Sequence, residues 1–303
     1  MNKFKLWISV FRLRTLPLSL SGIIIAGSIA YYNGYFDVII FSLAILVTLG
    51  LQILSNLAND YGDGVKGTDN RNRIGPERGI QSGKISPKEM FDAIKINIIV
   101  LIFLIFMLIF SAFGTHHFLS SIVFFILGFM AIYAALRYTI GETAYGYRGL
   151  GDLMVFLFFG IISVLGAYYL FAKSLEHVLI MPACIVGLLS TAVLNLNNMR
   201  DLKSDTESDK ITVAVKLGLI KAKNYHAFLL IFALILGMLF SLLYYRSLMN
   251  LLFLVTFIPI VRHIVFVYKV KEVKELDSQL KILALSTFVL SLTLGLSFIY
   301  NGM

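Results

Sequence analysis

The chain has 303 residues, of which 58% are hydrophobic and only 14% charged, with a mean hydropathy of +0.86. A water-soluble domain cannot hide that much apolar surface, so the composition excludes one and points to an integral membrane protein. The formal net charge of +9 would suit a nucleic-acid binder, but in a membrane chain it ordinarily comes from basic loops on one side of the bilayer. Nucleic acid is therefore not an expected partner.

Residues 2–14 read as an interfacial helix. Phe4, Trp7, Ile8 and Phe11 follow helical spacing among Lys3, Lys5, Arg12 and Arg14. A basic flank for the first span is the plainer alternative. No small-residue cleavage site follows, and the next apolar run is too long for a signal peptide. The lone cysteine, Cys184, lies in an apolar run and can form no internal disulfide.

Apolar stretches of membrane-spanning length then recur: Thr15–Phe36, Val38–Ala58, Ile96–Thr115, Phe118–Leu136, Leu153–Ala172, Val178–Met199, Ala227–Tyr245, Ser247–Tyr268 and Ile282–Met303. Only Ser247–Tyr268 is interrupted, by Arg262. The expected fold class is all-α, an integral membrane bundle of nine transmembrane helices in a single domain over 1–303. Barrel strands would be half as long and would alternate apolar with polar. Nine spans place all but two of the 26 lysines and arginines on the side of the N-terminus, the exceptions being Lys173 and Arg246. That asymmetry predicts a cytoplasmic location for the basic side.

Two polar stretches close long apolar runs on that same side. The first, Ser55–Asn70, carries Asn56, Asn59, Asp60, Asp63 and Asp69; the second carries Asn197, Asp201, Asp205 and Asp209. Asn56 and Asp60, Asn59 and Asp63, and Asn197, Asp201 and Asp205 are each four apart, so each set shares a helical face. A helix end built this way presents several oxygens to one hard cation such as magnesium. Arginines and lysines lie close by in both loops, which suits a metal-bound phosphate or diphosphate. Either loop alone could be merely solvated by its charges, but two loops sharing Asn-x-x-x-Asp at matching helix ends argue for function.

The loop 60–88 is rich in glycine and base, and Ser86-Pro87-Lys88-Glu89 predicts a capping box that opens the next helix. Gly62-x-Gly64-x-x-Gly67 matches the dinucleotide fingerprint literally, but it follows an apolar helix with no βαβ unit around it. A third stretch, Tyr138–Asp152, brings Tyr138, Tyr145, Tyr147, Arg148 and Asp152 to one loop and helix edge. These residue types could line a pocket for an aromatic acid. An interfacial aromatic belt accounts for any one tyrosine but not for Gly149-Leu150-Gly151-Asp152.

At these residues the sequence resembles the UbiA superfamily of intramembrane prenyltransferases. The likeness runs through Arg12–Pro17, Asn56–Asn70, Arg73–Gly79, Gln81–Gly83, Tyr145–Asp152 and Thr191–Asp205. It is similar above all to the branch that acts on 1,4-dihydroxy-2-naphthoate in the menaquinone pathway.

The resemblance implies nine helices, a lipid-bilayer location in the bacterial inner membrane with cytoplasmic active-site loops, and a Mg2+ cofactor. It implies polyprenyl diphosphate and 1,4-dihydroxy-2-naphthoate as substrates, joined with decarboxylation to give demethylmenaquinone. By position, Asn59, Asp60, Asp63 and Asp69 would form the first metal site, and Asn197, Asp201 and Asp205 the second. Lys66, Arg71, Arg73, Arg78 and Lys210 would bind diphosphate. Tyr138, Tyr145, Tyr147, Arg148 and Asp152 would bind the acceptor. Asp63, Asp205, Asp152 and Tyr145 are the expected catalytic residues.

The chain departs from the superfamily in three places. Its third aspartate, Asp69, lies six residues after Asp63, as in the menaquinone branch. Thr143-Ala144 stands where that branch has a basic residue and proline, leaving Arg137 or Arg148 as the replacement base. Leu13, not proline, follows Arg12. The alternative acceptor within the superfamily is 4-hydroxybenzoate, the ubiquinone-pathway substrate. The alternative class is a transporter coupled through intramembrane acids, against which almost all charge lies at helix ends.

Overall fold

A computed structural model of the chain describes residues 3–69 and 74–302. Arg71 and Arg73, two of the expected diphosphate ligands, lie outside the described residues. Those residues are all-helical, with no strand among them. Eight helices are long and apolar enough to cross a membrane: α3 Val38–Lys66, α4 Pro87–Phe113, α5 Phe118–Arg137, α6 Gly151–Ala172, α7 His177–Arg200, α9 Val213–Leu243, α10 Leu248–Lys269 and α11 Val273–Tyr300. A shorter apolar helix, α2 Leu16–Tyr32, stands at the first expected span. The short α1, Lys3–Phe11, and α8, Leu202–Glu207, flank the motifs. Exposed apolar side chains such as Phe118, Leu119, Ile220 and Leu242 face outward on a scale that only lipid tolerates. The protein is a multi-pass membrane protein.

Several helices run well past the charge-free stretches, because a helix need not stop where the bilayer does. α3 continues from Ala58 through the whole Asn/Asp turn to Lys66 and stops only at Gly67, whose φ of 75° is left-handed. Its start is fixed by Asp37, which accepts from the Ile39 and Ile40 amides at 2.7 and 3.0 Å. α4 opens at Pro87 under the expected capping box, in which Ser86 Oγ accepts from the Glu89 amide and the Glu89 carboxylate accepts from Ser86 N. α9 begins at Val213, where Thr212 Oγ1 caps the Val215 amide at 3.2 Å. It breaks at Gly218 (φ 70°).

α1 ends at Arg12, whose φ of 50° turns the chain into a short 3-10 turn before α2. Its Leu6 and Val10 are buried, and Asn56 Nδ2 donates to the Phe11 carbonyl at 3.0 Å. The interfacial helix is therefore pinned over the first polar motif. In the middle of α6, residues Phe156–Gly166 widen into a π-helix. There α6 meets the heavily buried α7 with almost no side chain between them. A Cβ on Gly160 would stand 2.6 Å from the Gly187 Cα and 2.6 Å from the Ala183 carbonyl.

Candidate active site

One cavity of about 380 Å³ runs up the bundle from an apolar depth to the charged helix ends. One face of α3 lines it for most of its length, through Ala44, Thr48, Leu51, Ser55, Asn59 and Asp63. Those steps of three and four residues are one stripe of an α-helix, so the polar motif is the top of the same face that is apolar below.

At the charged end, Asp63 is the meeting point. Its Oδ2 takes Arg78 Nη1 and Lys210 Nζ at 3.0 Å each, and its Oδ1 accepts the Tyr147 hydroxyl at 2.8 Å. Arg78 also reaches Asp69 at 3.2 Å and donates to the Asn59 carbonyl at 3.0 Å. Asp63, Asp69, Arg78 and Lys210 are all buried. Such an arrangement survives burial only because the charges compensate one another. Burial works against the Arg78 guanidinium, but Asp69 and Asp63 beside it prevail and hold its pKa above the ordinary value. Lys210 behaves alike, with Asp63 and Asp205 outweighing burial. Both cations stay charged.

The second motif joins this cluster from the other half of the chain. Burial, reinforced by Asp201 and Asp63 and opposed by Lys210, pushes the Asp205 carboxyl up to about 7. Asp201 is gripped by Arg200, which donates from Nε at 2.9 Å and Nη2 at 2.6 Å. The same guanidinium holds Asn197 Oδ1 at 2.9 Å and pairs with Asp277. Arg200 is fully buried, and sequence reasoning passed over it although it stands inside the Asn197–Asp205 motif. A buried arginine between two expected ligands fixes their geometry, because its planar fork reaches several oxygens at once.

The structure gives other expected residues different surroundings. Asp60 is occupied by backbone donors: its carboxylate accepts from the Gly79 and Ile80 amides at 2.9 and 3.1 Å. It folds the glycine-rich loop back over α3. Lys66 is exposed, bonds the Gly141 carbonyl at 2.9 Å and sits 4.0 Å above the Tyr147 ring. Tyr147 braces Asp63 and Thr68 and is not among the cavity's lining residues. Arg148 is exposed, and its carbonyl accepts from Lys216 at 3.0 Å. Arg137 bonds Thr143 and closes its own loop.

Tyr138 and Tyr145 do line the cavity, edge to face at 5.4 Å. Burial first, then Asp63 and Asp152, raises the Tyr138 pKa, and burial raises that of Tyr145. Both remain protonated phenols, but the Tyr145 hydroxyl donates to the Ala134 carbonyl at 2.9 Å. Asp152 is buried outside the cavity lining. It hydrogen-bonds Tyr225, and its carbonyl accepts from Thr191 at 3.3 Å. Tyr225, on α9, was not legible from the motif because it lies far away in sequence.

The donor set fits a hard divalent cation. Every candidate ligand is oxygen, and Asn59 Oδ1 is buried at the cavity wall without a hydrogen-bond partner. Among the described residues, however, no three acidic or histidine side chains already surround one point. Asp63 and Asp69 are instead turned toward Arg78 and Lys210.

Fold and site together define a polytopic α-helical membrane protein with a charge-compensated, oxygen-rich mouth above an apolar cavity. The chain belongs to the UbiA prenyltransferase family, whose model matches residues 20–292. It is an enzyme, a membrane prenyltransferase of that family.

Two bacterial relatives are both named 1,4-dihydroxy-2-naphthoate octaprenyltransferase. The protein from Escherichia coli K12 is 45% identical over 84% of this chain and 82% of its own. That from Haemophilus influenzae is 38% identical over 97% and 96%. Among solved structures, an apo UbiA homologue from Aeropyrum pernix K1 superposes with a TM-score of 0.62 at 15% identity, covering 94% of this chain and 98% of that one. A UbiA homologue from Archaeoglobus fulgidus, bound to DMAPP and Mg2+, gives 0.58 at 13% identity over 95% and 98%. At these identities the two structures bear on the fold.

Proposed function

We propose that this enzyme transfers a polyprenyl group from polyprenyl diphosphate to 1,4-dihydroxy-2-naphthoate, with loss of the acceptor's carboxylate as CO2, to give the demethylmenaquinone skeleton. It acts as one membrane-embedded domain of the bacterial inner membrane, with its polar mouth cytoplasmic. The observation that carries the reading is Asp63 held between Arg78 and Lys210 at the head of an apolar cavity. The length-wide similarity to the two naphthoate enzymes supports the acceptor.

The chemistry follows from that layout. The allylic C–O bond breaks and its electron pair leaves with the diphosphate. Arg78 and Lys210, already charged, meet the negative charge that develops there. Mg2+, which Asn59, Asp63 and Asp69 would hold with Asn197, Asp201 and Asp205, supplies further neutralisation of the leaving group when bound. Asp60 contributes through the loop that it anchors. The carbocation sits in the apolar part of the cavity, whose lining disfavours water beside it. The electron-rich ring attacks through the carbon bearing the carboxylate, and the electrons of the C–CO2 bond restore aromaticity. Tyr138 orients the acceptor as a hydrogen-bond donor. Tyr145, whose own proton goes to the Ala134 carbonyl, packs beside Tyr138 and can accept. Asp152 acts behind them with Tyr225.

A competition assay tests the acceptor. Purified protein, Mg2+ and a polyprenyl diphosphate are offered 1,4-dihydroxy-2-naphthoate and 4-hydroxybenzoate together, and products are identified by mass spectrometry. We expect the prenylated, decarboxylated naphthalene product. A prenylated 4-hydroxybenzoate with no naphthalene product would overturn the acceptor and leave the diphosphate chemistry standing.

A further inference from the structure

At its deep end the cavity is lined by an aromatic side chain that its neighbours brace. The outermost lining residue of α5 is Phe124, as Ala44 is of α3, Ile109 of α4 and Leu170 of α6. Phe124 is not a loose side chain. Its ring stacks on Tyr169 at 5.7 Å and 17°, and meets Phe113 at 5.2 Å. The Tyr169 hydroxyl is tied to Ser120 at 3.1 Å, and Phe113 is itself buried. Three helices thus hold an aromatic floor under the cavity, with the offset and tilted geometry that such rings favour.

The depth above that floor can be read from one helix. Ala44 and Asp63 both line the cavity on α3, and at about 1.5 Å rise per residue they are about 28 Å apart. An extended isoprene unit advances four carbon–carbon bonds, about 5 Å, from standard bond lengths. A straight tail whose diphosphate sits at Asp63 therefore reaches the floor after about five units.

We propose that Phe124, braced by Tyr169 and Phe113, is a specificity-determining residue that measures the prenyl tail: units up to about the fifth are gripped by the cavity, and any beyond it are turned away by the floor and gain nothing. The inference rests on the prenyl-transfer reading and deepens it. The physical reason for a plateau is that the tail's alternative environment is lipid, as apolar as the cavity. Transfer out of water therefore contributes little, and close packing supplies the discrimination.

The test is kcat/KM for prenyl diphosphates of two, three, four, five, six and eight units, under one lipid condition. For the wild type we expect a rise of about tenfold between two units and five, the scale of packing-driven discrimination, then a plateau. Phe124→Ala opens the floor and should move the plateau to six units or beyond. Ala131→Phe narrows the cavity about 10 Å below Tyr138 on α5, at about 1.5 Å per residue, and should leave two-unit transfer intact while removing the gain beyond it. The inference is overturned if wild-type kcat/KM is independent of length, or climbs without a break to eight units. It is equally overturned if Phe124→Ala transfers prenyl groups with the wild-type length profile, whatever Ala131→Phe does. A wild type that transfers no prenyl group of any length fails the prenyl-transfer reading itself, a different result. Should Ala131→Phe not fold, Phe124→Ala alone decides.

Discussion

Lys210 Nζ lies 3.0 Å from Asp63 Oδ2, although 147 residues of chain separate the two. The first polar motif is thus completed by a cation from the second. Arg78 still pairs with Asp63 when Lys210 is removed, but losing either partner leaves the buried cluster one charge out of balance, which costs more than the pair contributes. We expect Lys210→Met to raise KM for polyprenyl diphosphate by about tenfold or more, and Asp63→Asn nearly to abolish turnover. The double variant should be less impaired than the product of the single effects predicts, since residues in one network do not act independently. Steady-state kinetics over the four proteins measures this, and strictly multiplicative effects would show that the contact has no functional weight.

Removal of the divalent cation is expected to stop the reaction. Activity should vanish in excess chelator and return with Mg2+, because oxygen ligands of this kind bind hard cations reversibly. Undiminished turnover in chelator would remove the metal from the mechanism. Asp205→Asn should shift the Mg2+ concentration giving half-maximal rate upward, a readout that a purely structural aspartate would not move.

Asp205 also predicts a pH dependence of stability. Its carboxyl is pushed up to about 7 chiefly by burial, against an ordinary 3.8. Between those values the folded chain retains a proton that the unfolded chain has released. Without divalent cation, the stabilisation is therefore complete below the lower value and is lost as pH rises through the upper one. Melting in chelator should show a temperature that declines from pH 4 to pH 7 in the wild type and less steeply in Asp205→Asn. Equal slopes would contradict this assignment.

Gly160 is where α6 and α7 touch backbone to backbone. Any side chain there forces the helices apart, because neither partner is a flexible chain end. Gly160→Ala should destabilise the protein by about 1–3 kcal/mol, the usual range for overpacking. Thermal melting in detergent against wild type measures it. A neutral result would mean that the π-helical segment yields freely.

The proposed orientation is open to labelling. Single cysteines at Gly75 and Thr206 should be protected from an impermeant reagent in intact cells, whereas one at Thr115 should react. The opposite pattern would invert the topology.

Composition by itself determined the solvent. With so few charges in so apolar a chain, the apolar runs had to become helices in lipid, where every backbone polar group must be satisfied within its own segment. The Asn/Asp spacing likewise determined that Asn59 and Asp63 would share a face of α3, since helical periodicity is local.

Locality also explains where the reading stopped. Helix ends ran beyond the charge-free stretches, α3 to Lys66 and α9 from Val213, because caps at Gly67 and Thr212 decide them rather than hydropathy. The partners of the motif residues could not be read from spacing at all. That Asp60 would be taken by the Gly79 and Ile80 amides, Asp201 by Arg200, and Asp152 by Tyr225 depends on which helix ends the bundle brings together. Tyr147 and Tyr145 stand two residues apart in one turn, yet one braces Asp63 and the other lines the cavity. The floor at Phe124 is a product of packing alone, since three helices must converge before an aromatic residue becomes a wall.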